Sequence, residues 1–108
     1  MSWTVSFVNA AAEGELNGLP KDMRAKFARI VFMVREGGVL AMREPYAKHL
    51  TGRLWEMRLS GRNGIARSIY MTASGQRIIV LRSFVKKTQK TPPRELAIAL
   101  ARLKEVKE

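Results

Sequence analysis

The feature that most constrains this chain is a run of three alternating segments, separated by two turn signals, between Leu54 and Val85. Leu54 to Ser60 sends Trp55, Met57 and Leu59 to one side and Glu56 and Arg58 to the other. Ile65 to Thr72 follows after Gly61-Arg62-Asn63-Gly64, and Gln76 to Val85 follows after Ser74-Gly75. Period-2 alternation broken by short glycine-containing turns predicts an antiparallel meander. Such a sheet has an apolar face that other elements must cover.

The flanks supply those elements. Trp3, Val5 and Phe7 alternate as a further strand ending near Asn9, a residue suited to cap a short helix from Ala10 to about Asn17 that Gly18 closes. Pro20 fits the start of a second helix, Asp22 favours its first turn, and Met23, Phe27, Ile30, Val31 and Val34 form its apolar stripe up to Gly37-Gly38. Val39 to Gly52 is irregular in pattern, with Pro45 and Gly52 as breakers, and reads as a long connection with partial order. Thr91-Pro92-Pro93 launches a last helix with Leu96, Leu100 and Leu103 at i, i+4 and i+7, which predicts that all three face the core. The expected fold is α+β: an antiparallel sheet of about four strands, two N-terminal helices on one face, a C-terminal helix, and the face carrying Arg58 left open. With 108 residues, 1–108 reads as a single domain.

Composition narrows the chemistry. The chain has no cysteine and one histidine, so disulfides, thiolate metal sites and a structural zinc are all excluded, and no cofactor or metal is expected. No apolar run reaches the roughly 18 residues of a membrane span, and the first nine residues lack the pattern of a secretory signal; a cytoplasmic protein is expected. The formal charge is +11. From Met1 to Gly52 seven Lys/Arg face five Asp/Glu, whereas from Arg53 to Arg94 ten face Glu56 alone. That segment should attract a polyanion, and binding should weaken steeply with salt. A soluble basic surface needs much less charge.

Several strings in this segment resemble one family. Gly52-Arg53-Leu54-Trp55-Glu56-Met57-Arg58, Ala66-Arg67-Ser68-Ile69-Tyr70, Ile79 to Pro92 with its Phe84-Val85-Lys86-Lys87-Thr88-Gln89-Lys90-Thr91-Pro92 core, and Arg94 to Ala99 are similar to the phage-derived, HigB-like branch of the RelE/ParE toxin superfamily. The resemblance spans about Trp3 to Lys104. It implies a RelE-like fold and the toxin of a toxin–antitoxin module, silenced by a cognate antitoxin protein, that enters the A site of the small ribosomal subunit and cuts messenger RNA without a metal. The sequence departs from the family at Ala66, where an aromatic often precedes the strand arginine, and at Arg82, where a histidine is often found.

Cleavage of this kind proceeds by attack of a 2′-OH on the adjacent phosphate, and it needs proton transfer and positive charge around a phosphorane-like transition state. Arg58 and Arg67, on neighbouring strands, are the expected clamp for that phosphate, because a guanidinium fork matches two of its oxygens and keeps its charge. Two exposed arginines that merely keep a sheet soluble are the plainer account of the same residues. Lys86 and Lys87 complete the catalytic candidates, Lys87 being preferred as proton donor among crowded cations. Lys48, Arg53, Arg82 and Lys90 are expected to contact the RNA backbone. His49 and Glu56 stand second, His49 as the residue type suited to proton transfer at neutral pH and Glu56 as a buttress for Arg58 or, failing that, an acid/base group. Tyr70 and Trp55 fall on the core side by parity. Arg67 lies between Ile65 and Ile69 on one face, so its replacement by alanine is expected to leave the fold intact and reduce cleavage by about two to three orders of magnitude. A ParE-like inhibitor of DNA gyrase and a non-catalytic RNA-binding module are the competing readings of the same sequence.

Overall fold

Five strands form where alternation announces four. The computed structural model describes residues 3–39, 42, 46–87 and 90–107. Its elements run β1 (Thr4–Phe7), α1 (Ala10–Asn17), α2 (Lys21–Gly37), β2 (Ala47–Thr51), β3 (Leu54–Gly61), β4 (Gly64–Ala73), β5 (Arg77–Lys86) and α3 (Pro93–Leu103). The sheet order is β1-β5-β4-β3-β2. The strand not foreseen is β2, inside the stretch expected to be irregular; Pro45, the breaker that suggested irregularity, lies outside the described residues. Ala47-Lys48-His49-Leu50-Thr51 has little β propensity, and a register shift between His49 and Thr51 breaks its alternation. Pairing with β3 makes it a strand, a tertiary cause that no local pattern records. The sheet is also mixed: β1 pairs in parallel with β5, while β2 to β5 pair antiparallel.

The apolar stripe of α2 behaves as its spacing demands. Met23, Phe27, Ile30 and Val34 are buried against Met57, Leu59, Ala66, Tyr70, Ile78 and Val80, joined by Leu16 of α1. Asn9 caps α1, its Oδ1 accepting the Ala12 N–H at 2.9 Å. At the other end of this layer Asp22 accepts the Arg62 N–H at 2.5 Å, fixing the β3–β4 turn to the start of α2. A Cβ on Gly61 would lie 2.7 Å from the Asp22 carboxylate, so glycine is required there for close approach.

The opposite face is not open along its length. Leu96, Ala99 and Leu103 of α3 pack with Leu54, Ile69, Met71, Ile79, Leu81 and Phe84, so the C-terminal helix covers most of that face and leaves only one end of it free. Contact through the small Ala99, fully buried, turns Leu100 outward to 46% exposure, which corrects the expected Leu96-Leu100-Leu103 stripe. Trp55 has the parity of the α2 side but lies towards the sheet's β2 edge, 38% exposed and edge-on to His49. No described helix is long and apolar enough to cross a membrane.

Two features set the second half of β5 apart from the first. Ile69 pairs with Arg82 but Tyr70 pairs with Val80, so Leu81 is an extra residue, a bulge in β5. Beyond Val80 the outer edge of β5 has no β1 partner, and α1 lies against it, with Glu15 Oε1 accepting from the Ser83 N–H at 3.4 Å. A carboxylate thus occupies an edge that would otherwise present free backbone donors.

Candidate functional site

Register brings the cluster together. Arg58 of β3 stands directly opposite Arg67 of β4, and Arg67 is opposite Phe84 of β5. Ile65 pairs with Lys86, and Glu56 pairs with Ile69 on one side and Lys48 of β2 on the other. Directly opposed side chains in an antiparallel sheet share a face and lie within about 5.5 Å at Cβ. Arg58, Arg67, Lys86, Lys48 and Glu56 therefore converge on the end of the sheet face that α3 leaves free.

Arg67 is the unusual member. It is 5% exposed and sits over Glu56, 1% exposed, with Nε 3.3 Å from Glu56 Oε1. Glu56 Oε2 accepts from the Thr91 hydroxyl at 2.5 Å. The sequence reading set Glu56 beside Arg58; in the structure its carboxylate contacts Arg67 and Thr91. Even so, Arg67 Nε and Nη1 are buried without a hydrogen-bond acceptor. Buried donors are nearly always satisfied, and each unsatisfied one costs about 1–3 kcal/mol. A guanidinium left with spare donors, beside two other cations and a single carboxylate, is a ready receptor for an anion with several oxygens.

That crowding sets the electrostatics. Burial, and then the charge of Arg58, pull the Arg67 pKa down, and Glu56 opposes them. Burial also lowers Lys86, reinforced by Arg67, Arg58 and Lys48 and resisted by Glu56. Lys86 therefore gives up its proton more readily than an ordinary lysine. The burial of Arg67 also corrects the expectation that its truncation spares the fold: Arg67→Ala would strand the buried Glu56 carboxylate, and breaking a buried pair in this way costs about 3–5 kcal/mol.

The remaining sequence candidates lie elsewhere. Arg82 donates to Glu95 and Glu15, each at 2.6 Å, and is committed to holding α1 and α3 on β5, not to a ligand. Arg53 is exposed near the far end of β4, where Nη2 donates to the Thr72 carbonyl at 3.2 Å. His49 falls on the other face of the sheet from Lys48, its Nε2 2.9 Å from the Gly52 carbonyl oxygen. Lys87 and Lys90 are exposed in the segment between β5 and α3. Thr88 and Gln89 of the same string lie outside the described residues. Sequence reasoning missed Thr91 as a contributor, treating it only as a helix start, and missed Glu15; Thr91 reaches its partner across 35 residues and Glu15 reaches Arg102 across 87, so no local pattern could disclose either.

With this geometry in view, comparison with known proteins becomes specific. Residues 14–104 match the family described as phage-derived protein Gp49-like (DUF891). The chain belongs to the Gp49-like family. Among solved structures, this Gp49-like chain resembles one in the archaeal RelE–RelB complex from Pyrococcus horikoshii OT3, with a TM-score of 0.61 and 22% identity over 79% of this chain and 96% of that one. It also resembles the E. coli toxin RelE in the free state, a double arginine-to-alanine mutant, with a TM-score of 0.65 and 17% identity over 95% and 99% of the two chains. No curated protein matches the Gp49-like sequence. At these identities the structures show fold alone, and the fold is RelE-like. The resemblance read from the Trp55, Arg67 and Lys86 strings therefore holds at the level of family and architecture.

Proposed function

We propose that this chain is the toxin of a toxin–antitoxin module and cuts messenger RNA on the ribosome. The observation that carries the reading is Arg67: a buried guanidinium, its Nε against Glu56, which Thr91 also holds, its Nη1 without an acceptor, and Arg58 and Lys86 beside it. The scissile phosphate fits between Arg67 and Arg58. There the 2′-OH gives its proton to solvent and attacks phosphorus, the bond to the 5′-oxygen breaks, and a cyclic phosphate and a free 5′-OH result. The two guanidiniums stabilise the charge that builds on the non-bridging oxygens. Lys86, with its lowered pKa, takes the proton-donor role that the sequence reading gave to Lys87, and delivers its proton to the departing 5′-oxygen. Lys48 and Lys87 steer the backbone on either side. An acidic antitoxin that covers Arg58, Arg67 and Lys86 would silence the site; the archaeal RelE-fold relative occurs in a complex with RelB.

Controlled expression with mapping of transcript 5′ ends tests this. Cuts inside translated frames are expected, and Arg67→Lys, which keeps a cation beside Glu56 but not the bidentate fork, should reduce them by about two to three orders of magnitude. Intact messengers accompanied by broken DNA would replace the reading with gyrase inhibition. Intact messengers and intact DNA would reduce the protein to a basic binding module.

A further inference from the structure

The cluster at Arg67 does not end at the sheet. Beyond the paired stretch of β2, a groove of about 740 Å³ opens between α2 and the ends of β3 and β4, lined by Lys26, Arg29, Ile30, Tyr46, Arg58 and Ile65, with Ala25 and Ser60 completing it. That volume lies in the range of about 300–1,000 Å³ typical of sites that enclose an organic ligand. Among the described residues, three cations and no carboxylate line it. Among the described residues, no ion pair engages Lys26, Arg29 or Arg58. Tyr46 is 37% exposed and Ile65 is 39% exposed, so an aromatic ring and an aliphatic side chain stand beside unpaired positive charge.

Arg58 belongs to both places. It lines the groove, and it stands opposite Arg67 in the sheet and presses on the charge of Arg67 and Lys86. Ile65, at the groove, is paired with Lys86 at the cluster. The two sites are therefore contiguous, and a chain of phosphates gripped at Arg67 passes Arg58 on its way into the groove. The tie between Asp22 and the β3–β4 turn holds the start of α2 to the hairpin beside the groove.

We infer that this groove is a binding subsite for single-stranded RNA adjoining the cut, in which one flanking base stacks on Tyr46 over Ile65 while Lys26, Arg29 and Arg58 hold the flanking phosphates. The inference rests on the proposed function and adds where the strand runs. Aromatic faces accept any base and cations accept any phosphate, so the subsite contributes affinity without selecting sequence. An acidic protein segment would satisfy the cations but would have no planar group for Tyr46. The mixture of ring and charge therefore favours nucleic acid.

The test uses the full chain and 2′-deoxy oligonucleotides, which bind but cannot be cut by 2′-OH attack. Affinities of a dinucleotide and a hexanucleotide are compared by fluorescence anisotropy. The hexanucleotide should bind more tightly by at least an order of magnitude. Tyr46→Ala should weaken it by about tenfold, the usual effect of losing one stacked base, and Tyr46→Phe should not. Lys26→Ala with Arg29→Ala should cut the same increment and lower the salt slope, while dinucleotide binding stays unchanged. These three positions are exposed, and thermal melts would verify that the variants fold. An unchanged hexanucleotide affinity in Tyr46→Ala and in Lys26→Ala/Arg29→Ala would overturn the subsite, and cellular cleavage that persisted would leave the proposed function in place. Tighter binding of a glutamate-rich peptide than of the hexanucleotide, lost in the same variants, would overturn it in favour of a protein partner. Absence of any binding to either oligonucleotide, together with uncut transcripts, would remove both readings.

Discussion

Glu56 and Arg67 form a buried ion pair at the centre of the proposed site. Removing water from two charges is costly, and the pair is tolerable because each charge offsets the other and Thr91 satisfies one carboxylate oxygen. The donor of Arg67 left without an acceptor is then an unfavourable term that a phosphate bound as proposed would remove. Arg67→Ala should accordingly lower unfolding free energy by about 3–5 kcal/mol in urea titrations, whereas Arg67→Lys should remain within about 2 kcal/mol of the parent, since a cation still faces Glu56. Equal and small losses for both would show that the pair is not the buried contact described. The position of Arg67 was legible in the sequence because a charge between Ile65 and Ile69 on one face demands compensation. Its partner was read on the right strand but assigned to the wrong arginine. Period 2 puts Glu56 and Arg58 on one face without showing which of them β4 brings Arg67 beside.

Among the elements, α3 is the one whose attachment is most polar. Arg102 donates to Glu15 at 2.8 Å and to the Leu81 carbonyl at 2.8 Å, and Arg82 bridges Glu15 and Glu95. Burial alone would raise the Glu15 pKa, but the Arg102 hydrogen bond and the charges of Arg82 and Arg102 outweigh it and bring it below the ordinary carboxylate value. The stability this contributes is complete above the unfolded value near 4.5 and is lost as pH falls through the lower folded value. Glu15→Gln should therefore flatten the acid side of a stability–pH curve below about pH 4.5, and lower neutral stability by about 2–3 kcal/mol through its lost charged hydrogen bonds. An acid limb unchanged in Glu15→Gln would mean that other carboxylates set it. The helices themselves were readable from caps and stripes: Asn9, Pro20 and Pro93 mark starts that the fold keeps. The β2 strand was not, because its pairing with β3 forms it where its own alternation fails.

For the whole molecule, the uneven charge read from the sequence acquires a shape. The excess from Arg53 to Arg94 is not one continuous surface: Arg82 is neutralised between helices, Arg53 sits far along the sheet, and Arg58, Arg67 and Lys86 make the concentrated patch. Binding of single-stranded nucleic acid should then weaken with salt at a log–log slope of about −2 if those three alone meet phosphates, and about −3.5 if Lys26 and Arg29 join them, at roughly 0.7 per contact. A slope near zero would remove the electrostatic footprint altogether. Fold class and the Arg58–Arg67–Lys86 patch could be read from alternation and charge; the five-stranded order and the helix on the second face could not, because both depend on contacts distant in sequence.

The bulge at Leu81 divides β5 into two stretches that are out of phase by one residue. Before it, Ile78 and Val80 point to the side beneath α2; after it, Phe84 and Lys86 share the far side with Arg67, and Leu81 itself joins that side's core. An unbroken alternation from Ile78 would have sent Phe84 and Lys86 to the same side as Ile78, into the core beneath α2. The extra residue therefore lets a single strand pack beneath α2 along its first half and carry Phe84 and Lys86 to the side of Arg67 along its second.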